Sequence, residues 1–372
     1  MGGTKGTDFF GPSQVFARSA ARIVKASANG FGMAMLCVES HCSQPVFKGE
    51  KQMQIATSNG EKDVLVVGAG YLGKRVARLS QQLGYRVFAT TRHRDRFDEL
   101  KRDRFHPILL DWNDSRTFSE QDPPQGETVT ISGQTFAPGL RVLVAVAYDP
   151  RGLGAKPVSR YDSQVLGLRR LLRHLPSDAL VSYVSTTGVY HQRNGEWVDE
   201  TSTTHPTREA AAVHLQAEQE LHRNRPNGKF LVLRLAGIYG PGRIPRVADI
   251  ASGKPIEANP DTYLNLIHVD DAAKICLRSW DYLDSHSFQG ASMQQRLMLV
   301  ADHYPVARGE FYREVARQVG GPSPSFVPPA ATTSPRRRGE ANKRICNRKM
   351  ARSLMSNLAF PDYRQGLVSA LG

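Results

Sequence analysis

Six consecutive residues, Gly68-Ala69-Gly70-Tyr71-Leu72-Gly73, have the spacing of a phosphate cradle. GxGxxG carries little by itself. Here it follows an apolar run, Val64 to Val67, and opens a stretch in which Leu72, Val76, Leu79 and Leu83 recur at helical spacing. In that setting each glycine has a task. Gly68 permits a tight turn, Gly70 lets a pyrophosphate approach the backbone, and Gly73 lets helix and strand pack closely. The helix start then turns unpaired N–H groups and a positive dipole end toward the phosphates. The bland alternative is a tight strand–helix turn that holds no ligand. The residues expected to line a dinucleotide site are Gly68, Gly70, Tyr71, Leu72 and Gly73, with Arg92, Asp111 and Ala147 from later strand ends.

The end of the second predicted strand reads the cofactor. An acid about 20 residues past the loop would accept from a ribose 2′-OH. The sequence offers Thr90, Thr91 and Arg92 there, and no carboxylate before Asp95. A cation at that place suits a 2′-phosphate, so NADP is the first choice and NAD the second. Asp111, closing the third strand, either accepts from an adenine amino group or caps the next helix.

These residues need a framework. Strands are predicted at Val64–Val67, Arg86–Thr90, Pro107–Leu110, Leu140–Ala147, Leu180–Ser185 and Phe230–Leu235, with helices at Leu168–Leu175 and Arg208–His222 among them. Strands alternating with helices imply an α/β fold with a doubly wound parallel sheet covered on both faces. After residue 236 the rhythm breaks into Gly- and Pro-rich loops. A helix then runs from Asp270 to about Leu283, a strand spans Leu297–Val300, and a helix spans Glu310–Val319. A Pro/Ser/Ala-rich connection, Pro322 to Pro335, leads into a basic segment.

Composition bounds the function classes. The 372 residues are 40% hydrophobic and 23% charged, ordinary for globular chains. Gly and Pro, 32 and 22 residues, are too few for a low-complexity chain. The apolar stretch Ala26 to Val38 is thirteen residues, short of the about 20 that spanning a bilayer takes. Four cysteines with no CxxC pair support neither a disulfide scaffold nor a zinc ribbon, which favours a reducing, cytoplasmic setting. Cys37, His41 and Cys42 make a poor metal site, and no metal is expected. The net charge is +14, and half of it lies in residues 331–352, where eight basic residues meet only Glu340. Such a run is either a solvated loop or a seat for a small anion. Nucleic acid is disfavoured, because no aromatic interleaving or helix-turn-helix spacing accompanies it. Residues 1–60 form a low-order extension. Its Arg18, Arg22 and Lys25 fall on one face of a short helix, Ser13 to Ala28, as in a transit peptide that would redirect the chain to an organelle. A plain tail, or a true start at Met53, is the preferred reading.

Five stretches in order resemble the short-chain dehydrogenase/reductase superfamily, in its extended and atypical NAD(P)-dependent epimerase/dehydratase branch. They are Gly68–Gly73, Val184-Ser185-Thr186-Thr187-Gly188-Val189-Tyr190, Gly195 to Thr201, Arg234 to Gly242, and His268-Val269-Asp270-Asp271. The resemblance implies a Rossmann domain over 61–240 and a smaller C-terminal substrate lobe over 241–372, interleaved with it. It also implies an oxidoreductase or epimerase for a small anionic substrate, sugar or nucleotide-linked, working as a homodimer paired through helices flanking the fifth strand. Thr186 matches the family's catalytic Ser/Thr. The family's YxxxK pair is missing, since Ala210 stands at the Tyr place and His214 at the Lys place. Tyr148, ending the fourth strand, is the first substitute acid/base, and His214 the second. Arg344, with Arg243, is the expected anchor for substrate phosphates. The alternative function is a dinucleotide-binding sensor or scaffold without turnover.

Overall fold

In a computed structural model, residues 62–118, 131–151, 157–328 and 341–372 are described. The Ser13–Ala28 helix and the Cys37–His41–Cys42 group lie outside them. Strand β1 (Asp63–Val67) is buried along its whole length. Its side chains alternate between two cores, Val64 and Val66 to one face and Leu65 and Val67 to the other. That is why the strand reads as a continuous apolar run.

Six more strands complete a parallel sheet: β2 (Arg86–Thr91), β3 (His106–Leu109), β4 (Arg141–Val144), β5 (Leu180–Thr186), β6 (Phe230–Leu235) and β7 (Leu297–Val300). Their order is β7-β6-β5-β4-β1-β2-β3, every pair parallel. The order reverses between β1 and β4. Ligands bind outside the carboxyl ends of strands at such a reversal. Helices α1 (Tyr71–Gln82) and α5 (Val269–Ser285) cover the Val64 face, while α3 (Leu168–Arg173) and α4 (Glu209–Asn224) cover the Leu65 face. Between β2 and β3 runs α2 (Phe97–Arg102). A third apolar cluster gathers residues after 238, including Ile250, Phe311, Val315 and Leu367 from α6 (Arg308–Val319) and the flanking segments. All described residues belong to one compact unit.

Two elements differ from expectation for physical reasons. The strand expected over Leu140–Ala147 ends at Val144, because the following residues, Ala145 to Ala147, turn out to line a cleft. The helix expected from Leu168 is preceded by a wide π turn, Asp162–Gly167. There Trp112 presses on Gly167, where a Cβ would lie 2.8 Å from the indole, and its Nε1 donates to Ser163 Oγ at 3.4 Å.

The chain end is bound into this frame. Lys343–Ile345 pairs in parallel with Glu196–Val198. The buried Asp271 of α5 accepts from the backbone N–H of Ala359 and Phe360, at 2.9 and 2.8 Å.

Candidate active site

The cleft at the strand reversal has a volume of about 450 Å³, within the range of small-molecule sites. Its floor is the glycine loop. Gly68 has φ +100, and a Cβ there would lie 2.6 Å from the Ala145 carbonyl oxygen. A Cβ on Gly73 would lie 2.2 Å from the Gly68 carbonyl oxygen. Both positions exclude side chains because backbone meets backbone. Gly70 is different, since a Cβ there would meet nothing within 4 Å. The space above it is open, as a pyrophosphate requires. Gly70 caps α1 without a side-chain bond, and no acid stands in the first turn. The leading amides of α1 therefore have no intrahelical acceptor and face the cleft with the dipole's positive end. Thr90 Oγ1 holds the Gly68 N–H at 3.2 Å, tying the turn to β2. These features fit a dinucleotide.

The structure brings most of the expected cofactor set together. Gly68, Gly70, Tyr71, Leu72, Gly73, Arg92 and Ala147 all line the cleft. Arg243 joins them, its guanidinium 5.3 Å from the Tyr71 ring centre, with Arg75 at 4.2 Å from the same ring. Asp111 does not line it. Its buried Oδ1 accepts from the backbone and side-chain nitrogens of Asn113, both at 3.0 Å, and Trp112 and Asn113 line the cleft instead.

The catalytic candidates divide. His214 lines the cleft from α4, and its Nδ1 lies 3.2 Å from Tyr183 Oη. Burial lowers the imidazole's pKa below its ordinary value, against the pull of Glu218 and with the help of Arg160. Burial raises that of the Tyr183 phenol, so the phenol keeps its proton. Tyr148 is placed elsewhere. Its hydroxyl donates to the Val158 carbonyl at 2.8 Å, and Arg160 lies 4.0 Å over its ring. Thr186 ends β5, and its Oγ1 accepts from the Gly188 N–H at 3.0 Å. Neither Tyr148 nor Thr186 is among the cleft-lining residues.

Arg344 is also outside the lining. Its Nε donates to the Gly195 carbonyl at 2.7 Å, and its guanidinium packs between the Trp197 and Tyr263 rings at 5.0 and 5.2 Å. Its neighbour Lys343 is buried, with Nζ on the Tyr190 carbonyl at 3.0 Å, and burial beside Arg208 brings its pKa down to about 8. Lys349 Nζ holds the carbonyls of Gln294 and Leu297 at 2.6 and 2.7 Å. These members of the basic run tie the chain end down.

Three contributors escaped sequence reasoning. Asp149 lines the cleft and pairs with Arg92. Ser185 lines it too, donating to the buried Glu218 Oε1 at 2.6 Å. Glu218 is gripped by Arg234 through both oxygens, at 3.0 and 2.6 Å, and Arg234 Nη1 reaches Tyr190 Oη at 2.6 Å. Burial pushes the Tyr190 phenol up to about 12, against the pull of Arg234. Tyr183 is the third. A signal for Tyr183 and Ser185 was available, since with Val181 they share the β5 face that meets α4.

The comparisons agree with this geometry. The family model described as the NAD-dependent epimerase/dehydratase family matches residues 64–287. The chain is 24% identical over 271 residues to Protein YeeZ of Escherichia coli (strain K12), covering 71% of this chain and 86% of that one. A functionally unknown conserved protein from Silicibacter pomeroyi DSS superposes with TM-score 0.62 at 27% identity, over 83% of this chain and 98% of the other. UDP-glucuronic acid 4-epimerase from Bacillus cereus, in complex with UDP-glucuronic acid and NAD, superposes with TM-score 0.59 at 16% identity, over 83% and 98%. With the family match spanning more than half its length and the glycine loop formed at the sheet's reversal point, the chain belongs to the NAD-dependent epimerase/dehydratase family.

Proposed function

We propose that the protein is an oxidoreductase or epimerase that uses NADP(H) ahead of NAD(H) and acts on a small anionic substrate, sugar or nucleotide-linked, without a YxxxK pair. The observation that carries this is His214, a titratable group in the same cleft as the glycine loop. A bound dinucleotide supplies the site that accepts or returns a hydride. The chain's residues do the rest. The leading amides of α1, beside the open space at Gly70, would hold a pyrophosphate. Arg92 favours a 2′-phosphate. With the Tyr183 hydroxyl as the donor to Nδ1, neutral His214 would carry its own proton on Nε2, the nitrogen left for a ligand. Thr186 stands at the carboxyl end of β5 to orient a substrate oxygen. Arg243 at the glycine-rich turn answers an anionic substrate, as UDP-glucuronic acid is in the Bacillus cereus epimerase. Arg344 is the second anchor and would have to leave the Gly195 carbonyl to serve. We place the protein in the cytoplasm, where its thiols stay reduced, and read its pairing as a homodimer through α3 and α4.

A second reading is favoured by Ala210, which has no proton to exchange, and by Thr186, whose hydroxyl already serves the Gly188 amide. It is a dinucleotide-binding sensor without turnover. The test is oxidation or reduction of the nicotinamide, together with analysis of the products for an inverted carbinol, with a panel of UDP-sugars and small keto acids. The catalytic reading predicts turnover that His214→Ala lowers by about 10²-fold or more. The sensor reading predicts dinucleotide binding with no turnover in the wild type.

A further inference from the structure

Arg92 stands just past β2, where the ribose of an adenosine end is read. Its Nη2 donates to Asp149 Oδ2 at 2.9 Å, and its Nη1 to the Arg151 carbonyl at 3.4 Å. Asp149 comes from the loop after β4, 57 residues along the chain. Both side chains line the cleft and keep about a quarter of their surface in solvent. The carboxylate is fixed from its other oxygen as well, since Oδ1 accepts the Arg151 backbone N–H at 3.0 Å and its Nε at 3.2 Å. The Arg151 amide first, then the Arg92 and Arg151 side chains, hold Asp149 at a pKa of about 2, so it is an anion at any working pH.

The acid missing from the end of β2 is thus supplied by a different strand end. A carboxylate in that place treats the two dinucleotides oppositely. It accepts a hydrogen bond from a ribose 2′-hydroxyl. It repels a 2′-phosphate and competes with it for the same guanidinium. We propose that Asp149 sets the choice between NAD(H) and NADP(H), holding Arg92 back from a 2′-phosphate and offering its own carboxylate to a 2′-hydroxyl. The inference rests on the dinucleotide reading of the cleft, and it makes the preference for NADP(H) a restrained one.

The test is calorimetric binding of NAD⁺ and NADP⁺ to the wild type, Asp149→Asn, Arg92→Ala and the double variant. Asparagine keeps an oxygen for the Arg151 amide, so the turn is retained while the charge is lost. Asp149→Ser serves the same purpose should Asp149→Asn fail to fold. The expected result is tighter NADP⁺ and weaker NAD⁺ binding in Asp149→Asn, moving the ratio of the two dissociation constants by about tenfold or more. The gain for NADP⁺ should vanish in the double variant. Equal shifts for both ligands, or a gain that survives loss of Arg92, would overturn the inference and leave the dinucleotide site standing. A wild type that binds neither ligand would overturn both.

Discussion

At the scale of single residues, His214 and Glu218 stand one turn apart on α4 and meet different demands. Ala210, expected at the family's Tyr place, has no proton to exchange, and His214, expected at the Lys place, has its imidazole against Tyr183. Because burial depresses the His214 pKa, the folded state binds fewer protons than the unfolded chain just below its ordinary value. The stability this group contributes is present above about pH 6.5 and is lost as pH falls through the depressed value. His268 is depressed by burial too, against Asp270 and Asp271. His214→Gln should therefore flatten part of the fall in thermal midpoint between neutral and mildly acid pH. An unchanged slope would place the effect elsewhere. Glu218 meets a different demand. It is a buried anion held by Arg234 and Ser185. Removing its charge strands the guanidinium, so Glu218→Gln should cost about 3–5 kcal/mol in denaturant unfolding. A cost under about 1 kcal/mol would mean that water already screens the pair.

At the scale of elements, the βα unit from Asp63 to Gln82 was legible because three signals coincide. An apolar run, a glycine spacing and a helical repeat follow one another within it. Gly73 is the tightest of its parts. Gly73→Ala brings a Cβ against the Gly68 carbonyl, and α1 must lift from the sheet at a cost of about 1–3 kcal/mol. Urea unfolding would read this, and a neutral result would mean that the loop relaxes freely. Other elements gave no local signal. The strand Lys343–Ile345 is three residues long and pairs with Glu196–Val198 far back in the chain. A period cannot be read from three residues, and the basic side chains there suggested a solvated run. The π turn before α3 depends on Trp112 meeting Gly167, a tertiary contact with no trace in helical spacing.

At the scale of the whole molecule, the topology decides which distant residues share the cleft. Glycine loop, Arg92 and Ala147 were expected at a dinucleotide and Arg243 at a substrate anion, and the strand order brings them to one cleft. Asp149 with Arg92, and Tyr183 with His214, were not found. Each pairing joins two strand ends or a strand to a helix, and nothing short of the sheet order predicts it. Tyr148 failed as a cleft residue for the same reason, because its strand position did not reveal that the Val158 carbonyl would claim its hydroxyl. The account depends most on the open space above Gly70. Its φ of −93 suits any residue, and a Cβ there meets nothing within 4 Å. Gly70→Val should leave the unfolding free energy within about 1 kcal/mol of the wild type while filling the pyrophosphate's place. The decisive measurement is calorimetric binding of NADPH and NAD⁺ to the wild type and to this variant. Binding by the wild type that is abolished in a folded Gly70→Val protein is the predicted result. Undiminished binding in the variant, or none in the wild type, would contradict a dinucleotide on the glycine loop.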